Sequence, residues 1–395
     1  MNRQLYYLIF IIAIIISACK SEENSILKIN NEPALRFIGV INYLKSKDTI
    51  SINNGNTNDT IKITENRNDT VLKHKIETLL QLPEYTILGQ SSSAFNNAST
   101  FKGKNAYREA FYNLPYKKVS MSGVLTDQWI EYWNNGYNID AEQMLNKLNN
   151  NIVNIENNII HTVNKILPEN KNQDHNIEVV LCIDGNSSVY PCENKIFIDL
   201  IDYNNFNDFE NVIALRVHQH LYNRWFKINF TEDNTIYRWQ KKIIVNGSSH
   251  LIGIDYKNKY IKDMYNNKEL LNELYNEWIT NYRALSNSQS PDTTYIEIRE
   301  NTYTDLSFNR LKKYYKGDII DVEAIRNRPI ADSYIGYYIY NAISNEIGES
   351  GLKQVIENPA ELLSVYNAIH KDNMAIPKMP NDIIDIWKLN LRKTN

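Results

Sequence analysis

This chain has no clustered Lys or Arg segment. Its 395 residues carry a net charge of only −3, so the electrostatic footprint of a nucleic-acid binder is missing. It also lacks the G-x-S-x-G turn of serine hydrolases, a phosphate-binding loop, a dinucleotide fingerprint and any internal repeat with a period of about 20 to 50 residues. Cysteine is scarce, at three residues. The apolar run from Leu5 to Ile16 is short: about twelve residues of helix cover about 18 Å of a roughly 30 Å hydrocarbon core, which excludes a spanning anchor there.

That run has another use. Arg3, the apolar stretch and Ser17-Ala18-Cys19 form a charged head, a hydrophobic core and a small-residue cleavage site, so residues 1–18 read as a secretory signal. Ile16-Ser17-Ala18-Cys19 resembles the bacterial lipobox, which implies that Cys19 is acylated and becomes the mature N-terminus. More than one acyl chain on a residue gives a stable anchor, so the expected partner is a membrane, reached by lipid. The residue after Cys19 is Lys20 rather than the aspartate that marks inner-membrane retention in many Gram-negative bacteria, and an outer-membrane lipoprotein of the cell envelope is expected. Lys20-Ser21-Glu22-Glu23 resembles the acidic tags of surface-displayed lipoproteins; the periplasmic side and the cell surface both remain open.

Export places the other two cysteines in an oxidising compartment. Cys182 closes the alternating segment Ile177–Asp184, and Cys192 precedes Lys195–Ile201, a second strand-like run. With Asn186-Ser187-Ser188 as a hairpin tip the two would face each other, so a Cys182–Cys192 disulfide is the expectation, against two buried thiols.

Composition is globular, with 43% hydrophobic and 23% charged residues, and roughly 375 residues remain after the signal. Residues 19–70 are polar and read as a tether, with one small hairpin expected around Asn54-Gly55. This stretch holds Asp48-Thr49-Ile50, Asp59-Thr60-Ile61 and Asp69-Thr70-Val71. They resemble acceptors of a bacterial O-glycosylation system and make Thr49, Thr60 and Thr70 candidates. Residues 71–395 read as one domain of α+β class, mainly helical with a small sheet or hairpin. Helices are expected over Asp140–Leu167 (stopped by Pro168), Asp208–Trp225, Asn267–Arg283, Ser333–Ile347, Pro359–His370 and Asn381–Arg392. In the first of these, Ala141, Leu145, Leu148, Ile152, Ile155, Ile159, Val163 and Ile166 share a face.

The helix Asp208–Trp225 contains Arg216-Val217-His218-Gln219-His220. A zinc peptidase needs two histidines a helical turn apart and a glutamate beside the first. His218 and His220 stand about 200° apart around a regular helix, and every register of H-E-x-x-H fails at two or more positions.

In the order of its segments the chain is similar to exported lipoproteins of the gluzincin zinc-peptidase type. The likeness runs from Ile196-Phe197-Ile198-Asp199-Leu200 to Val212–Gln219, then Trp239–Ser249 where that family has Glu-Gly-x-Ala. It continues through Arg328-Pro329, Tyr334, Gly336 and Gly348 to Asn358-Pro359 and Tyr366, covering about residues 75 to 390. The resemblance implies a gluzincin-like architecture with a degenerate metal site. Leu215 and Arg216 stand for the first histidine and the glutamate, Gln219 for the second histidine, and Asn246 for the ligand glutamate. Leucine cannot ligate zinc, arginine repels a divalent cation, and neutral amides are poor ligands, so the expectation is no cofactor and an inactive relative that binds a peptide, a glycan or an envelope protein. The alternative is an active zinc hydrolase using His218 or His220 with His250 and Asp255 or Glu232 on an irregular helix. Tyr222, Trp225, Tyr237, Trp239 and Tyr256 read either as a groove lining or as core.

Overall fold

The structure, a computed structural model, describes residues 27–51, 66–91, 103–113, 137–169, 176–183, 189–192, 194–200, 206–230, 234–252, 268–301 and 330–391. The chain opens with β1 (Leu27–Asn30), α1 (Glu32–Ser51), α2 (Thr70–Leu80), α3 (Pro83–Ser91), α4 (Lys104–Asn113), α5 (Tyr137–Asn149) and α6 (Ile152–Asn164). Strands β2 (Ile177–Cys182), β3 (Val189–Cys192) and β4 (Lys195–Asp199) follow. Helices complete it: α7 (Phe206–Asn229), α8 (Thr235–Ser249), α9 (Lys268–Ser286), α10 (Pro291–Asn301), α11 (Ile330–Glu357), a 3₁₀ turn at Pro359–Glu361, α12 (Leu362–Ile369) and α13 (Asn381–Asn390). The class is α+β and mostly helical, and among the described residues no helix is long and apolar enough to cross a membrane.

The sheet order is β1-β2-β4-β3; β1, β2 and β4 run parallel and β3 runs antiparallel to β4. Strand β2 carries Val179, Val180 and Leu181 in succession, all buried, as expected of a parallel sheet covered on both faces. Helices α1, α6 and α7 supply that cover.

Three sequence expectations change here. The tether reading of residues 19–70 fails at Leu27. Strand β1 pairs with β2 from Leu27↔Ile177 to Asn30↔Val180, and α1 buries Ala34, Phe37, Ile38, Ile41 and Leu44. Those positions follow the i, i+3, i+4, i+7 rhythm, and the Asn- and Thr-rich residues after them diluted the signal. The expected hairpin around Asn54-Gly55 lies mostly outside the described residues, and Thr49 to Ser51 of its first arm end α1. Second, no β2–β3 hairpin forms, because β4 inserts between the two strands. Cys182 pairs with Asp199 while Cys192 pairs with Lys195, four residues along β4 and on its other side. Strand neighbours lie about 4.8 Å apart, so the two cysteines are too far apart for a disulfide. Cys182 is a buried thiol donating to Ile198 O at 3.6 Å. Third, the helix expected over Asp140–Leu167 is two helices broken at Asn150-Asn151, although its apolar face is the buried one: Ala141, Leu145, Leu148, Ile155, Ile159 and Val163.

The three threonines fall in different settings. Thr60 lies outside the described residues, Thr49 in the last turn of α1, and exposed Thr70 opens α2. Asp69 caps that helix, accepting from Val71 N at 2.9 Å and Leu72 N at 3.0 Å, which gives one of the three Asp-Thr pairs a structural use.

Among the later helices, α8 and α11 cross at backbone contact. A Cβ on Gly247 would lie 2.5 Å from the Gly336 carbonyl carbon, and one on Gly336 2.4 Å from Ile243 O. Further along α11, Gly348 takes φ +69° and kinks the helix. Around this crossing the core is aromatic, with Trp278, Tyr282, Tyr340, Tyr366 and Trp387 fully buried.

Candidate functional site

Helices α7 and α8 pack side by side and meet in two polar rungs. Asn234 starts α8 by accepting from Tyr237 N at 2.7 Å, and the Gly247–Gly336 contact seats that helix against α11. On the outer rung, Arg216 Nη1 donates to Gln219 Oε1 at 3.0 Å, and Gln219 Nε2 donates to Asn246 Oδ1 at 3.1 Å. A three-residue spacing puts Arg216 and Gln219 on one helix face. All three side chains are half-buried, while Leu215 is buried. The structure thus brings together three of the four positions that the family resemblance singled out, and leaves the fourth in the core.

The inner rung is made by their neighbours. His218 is fully buried, with Nδ1 2.8 Å from Ser249 Oγ and Nε2 3.0 Å from Ile166 O, just past α6. A carbonyl only accepts, so Nε2 carries the proton and Nδ1 is an acceptor; the single proton of the Ser249 hydroxyl has two acceptors in reach, Nδ1 and Val245 O. Burial lowers the His218 pKa to about 4, with the Ile166 carbonyl opposing, so the ring is neutral at pH 7. One histidine therefore ties α6, α7 and α8 together.

This arrangement fits zinc poorly. Both ring nitrogens of His218 face protein partners, Gln219 Oε1 and Asn246 Oδ1 already accept hydrogen bonds, Leu215 has no donor atom, and Arg216 adds a positive charge. The alternative set is described only in part. His220 is two residues from His218 on a regular helix, and His250 caps α8 with its ring 6.5 Å from Tyr337. Asp255 and Glu232 lie outside the described residues, among which no group of three His, Cys, Asp or Glu is placed to hold an ion. What the outer rung does offer is a guanidinium beside two amides, suited to hydrogen-bonding a polar or anionic group.

The aromatic residues resolve toward packing: Tyr222, Trp225, Tyr237 and Trp239 are all buried, and Tyr256 lies outside the described residues. The Tyr222 hydroxyl donates to Ile356 O at 2.8 Å, so its polar tip is satisfied in the core. Sequence reasoning missed Ser249 as the partner of His218, though it stands one turn from Asn246. It also missed the cluster in which Lys195 Nζ lies 2.9 Å from both Glu84 and Glu178. Burial alone would raise Glu178, but its hydrogen bonds from Lys195 and Asn30 outweigh that and hold its pKa below the usual carboxylate value. Nothing in local spacing links residues 84, 178 and 195. Compared with family models, curated proteins and solved structures, the chain has no match.

Proposed function

We propose that this chain is an envelope lipoprotein, anchored through acylated Cys19, whose body is a catalytically inactive relative of gluzincin-type zinc peptidases serving in binding or assembly. The observation that carries the reading is the meeting of Gln219 with Asn246, 27 residues apart in sequence, beside Arg216 on the α7–α8 pair. In a working peptidase of that type two helices converge to present ligands to one ion. Here the corresponding pair converges on amides and a guanidinium, groups that bind by hydrogen bonding and supply neither a metal ligand nor a general base. An outer-membrane setting follows from Lys20 after the acylated cysteine, and the partner is a peptide, a glycan or another envelope protein that meets the Arg216 face.

Metal content tests the reading. The purified chain equilibrated with trace zinc should hold none after dialysis, whereas the combined variant Leu215→His, Arg216→Glu, Gln219→His, Asn246→Glu should retain about one zinc per chain. Stoichiometric zinc in the unaltered protein would overturn inactivity, and a folded four-site variant that takes up no zinc would overturn the assignment of positions.

A further inference from the structure

With β1 in the sheet, seven residues, 20–26, separate Cys19 from the body at Leu27, in place of the roughly fifty expected from the sequence. Eight Cα-to-Cα steps reach at most about 28 Å. The roughly 250 described residues, taken as one compact body, have a radius of gyration of about 18 Å and measure about 46 Å across. Leu27 is only 4% exposed, so part of that reach is used inside the body's own surface. An acyl anchor on Cys19 therefore keeps the end of the body that carries Leu27 within about 28 Å of the bilayer.

The register identifies that end. Leu27 opens β1 level with Ile177 at the start of β2, and Lys195 opens β4 opposite Glu178. Arg224 Nη1 donates to Asn194 Oδ1 at 2.9 Å, immediately before β4, so the C-terminal turns of α7 finish at the same end. Beyond Arg224 come exposed Lys227 and Ile228, the latter 61% exposed, and Lys28 is exposed on β1. Lys28, Arg224 and Lys227 share this end with the protruding Ile228, beside Glu178, which Lys195 pairs, and Glu156, which accepts from Ile29 N; the cations and the isoleucine suit an interface of anionic headgroups over acyl chains.

We propose that the start of β1 and the C-terminal turn of α7 form a membrane-facing pole, resting on the bilayer that holds the Cys19 acyl chains. Ile228 sits at headgroup level, and Lys28, Arg224 and Lys227 face anionic lipid. The inference rests on the acylation in the proposed function and is independent of the peptidase ancestry. It also sets the height of the Arg216–Gln219–Asn246 cluster. Nine residues of α7 separate Gln219 from Ile228, about 14 Å along the axis, so a partner engaging that cluster does so close to the membrane.

The test uses the acylated protein in vesicles of phosphatidylethanolamine and phosphatidylglycerol carrying a headgroup-borne nitroxide. A fluorophore is attached to Ile228→Cys or to Asn211→Cys, each in a Cys192→Ser background that leaves the buried Cys182 thiol unlabelled. Asn211 is exposed on α7 and about 25 Å further from the pole. The label at residue 228 should be quenched several-fold more than the label at 211. Equal quenching on a chain whose intact mass shows the acyl groups overturns the docked pole alone. An intact mass showing unmodified Cys19 overturns the anchor, and the docking with it.

Discussion

Lowering the pH should destabilise this protein through His218, by an amount that the buried rung sets. In the unfolded chain the imidazole takes a proton near its ordinary value of 6.5; in the fold it does so only at about 4, because burial penalises the charged ring. Above pH 6.5 both states hold the neutral ring, and the stability associated with it is complete. As pH falls below 6.5 the unfolded state binds a proton that the native state refuses, so stability drops until about pH 4, where the native ring protonates too and the dependence flattens. At 1.36 kcal/mol per unit, the interval from 6.5 to about 4 is worth about 3 kcal/mol. Urea unfolding of the soluble chain beginning at Lys20, followed at a series of pH values, measures this directly. His218→Gln keeps a donor for Ile166 O and an acceptor for the Ser249 hydroxyl but cannot titrate. Subtracting its profile from the parent's removes the carboxylates' share. A difference curve that is flat between pH 7 and 4 would refute the neutral, doubly bonded ring.

Other outcomes follow from the same packing. Gly336→Ala forces a Cβ against Ile243 O and should cost on the order of 3 kcal/mol in urea unfolding, whereas Gly39→Ala, with open space around its Cβ, should be neutral or mildly stabilising. A double-mutant cycle of Gln219→Leu and Asn246→Leu should give a coupling of about 1 kcal/mol, and a value near zero would show that the outer rung does not hold in solution. Iodoacetamide should alkylate Cys182 only after unfolding and without prior reduction, read by intact mass; a requirement for reductant would restore the disulfide.

How legible the site was depended on the range of the interactions involved. The pairing of Arg216 with Gln219 is a helix periodicity and can be read from spacing alone. The meeting of Gln219 with Asn246 entered only through the family resemblance, because no local rule aligns residues on two helices. The inner rung was invisible: His218 looked like a metal candidate until its two partners, on α6 and α8, accounted for both nitrogens. Glycine was similarly ambiguous. Gly247 and Gly336 stand in sequence as two residues without side chains, and only the crossing of α8 over α11 shows that each occupies space a methyl group would need.

By itself, the sequence determined the helical, weakly charged character of the chain and the buried faces of helices such as α6, because periodicity and composition are local properties. Tertiary structure alone decided that β1 and α1 belong to the body, that β4 separates Cys182 from Cys192, and that His218 lies buried between three helices. Strand order is the physical reason for the first two. A strand pairs with whichever neighbour best covers its apolar faces and backbone groups, and those neighbours lie as far as 150 residues away in sequence, as Leu27 does from Ile177.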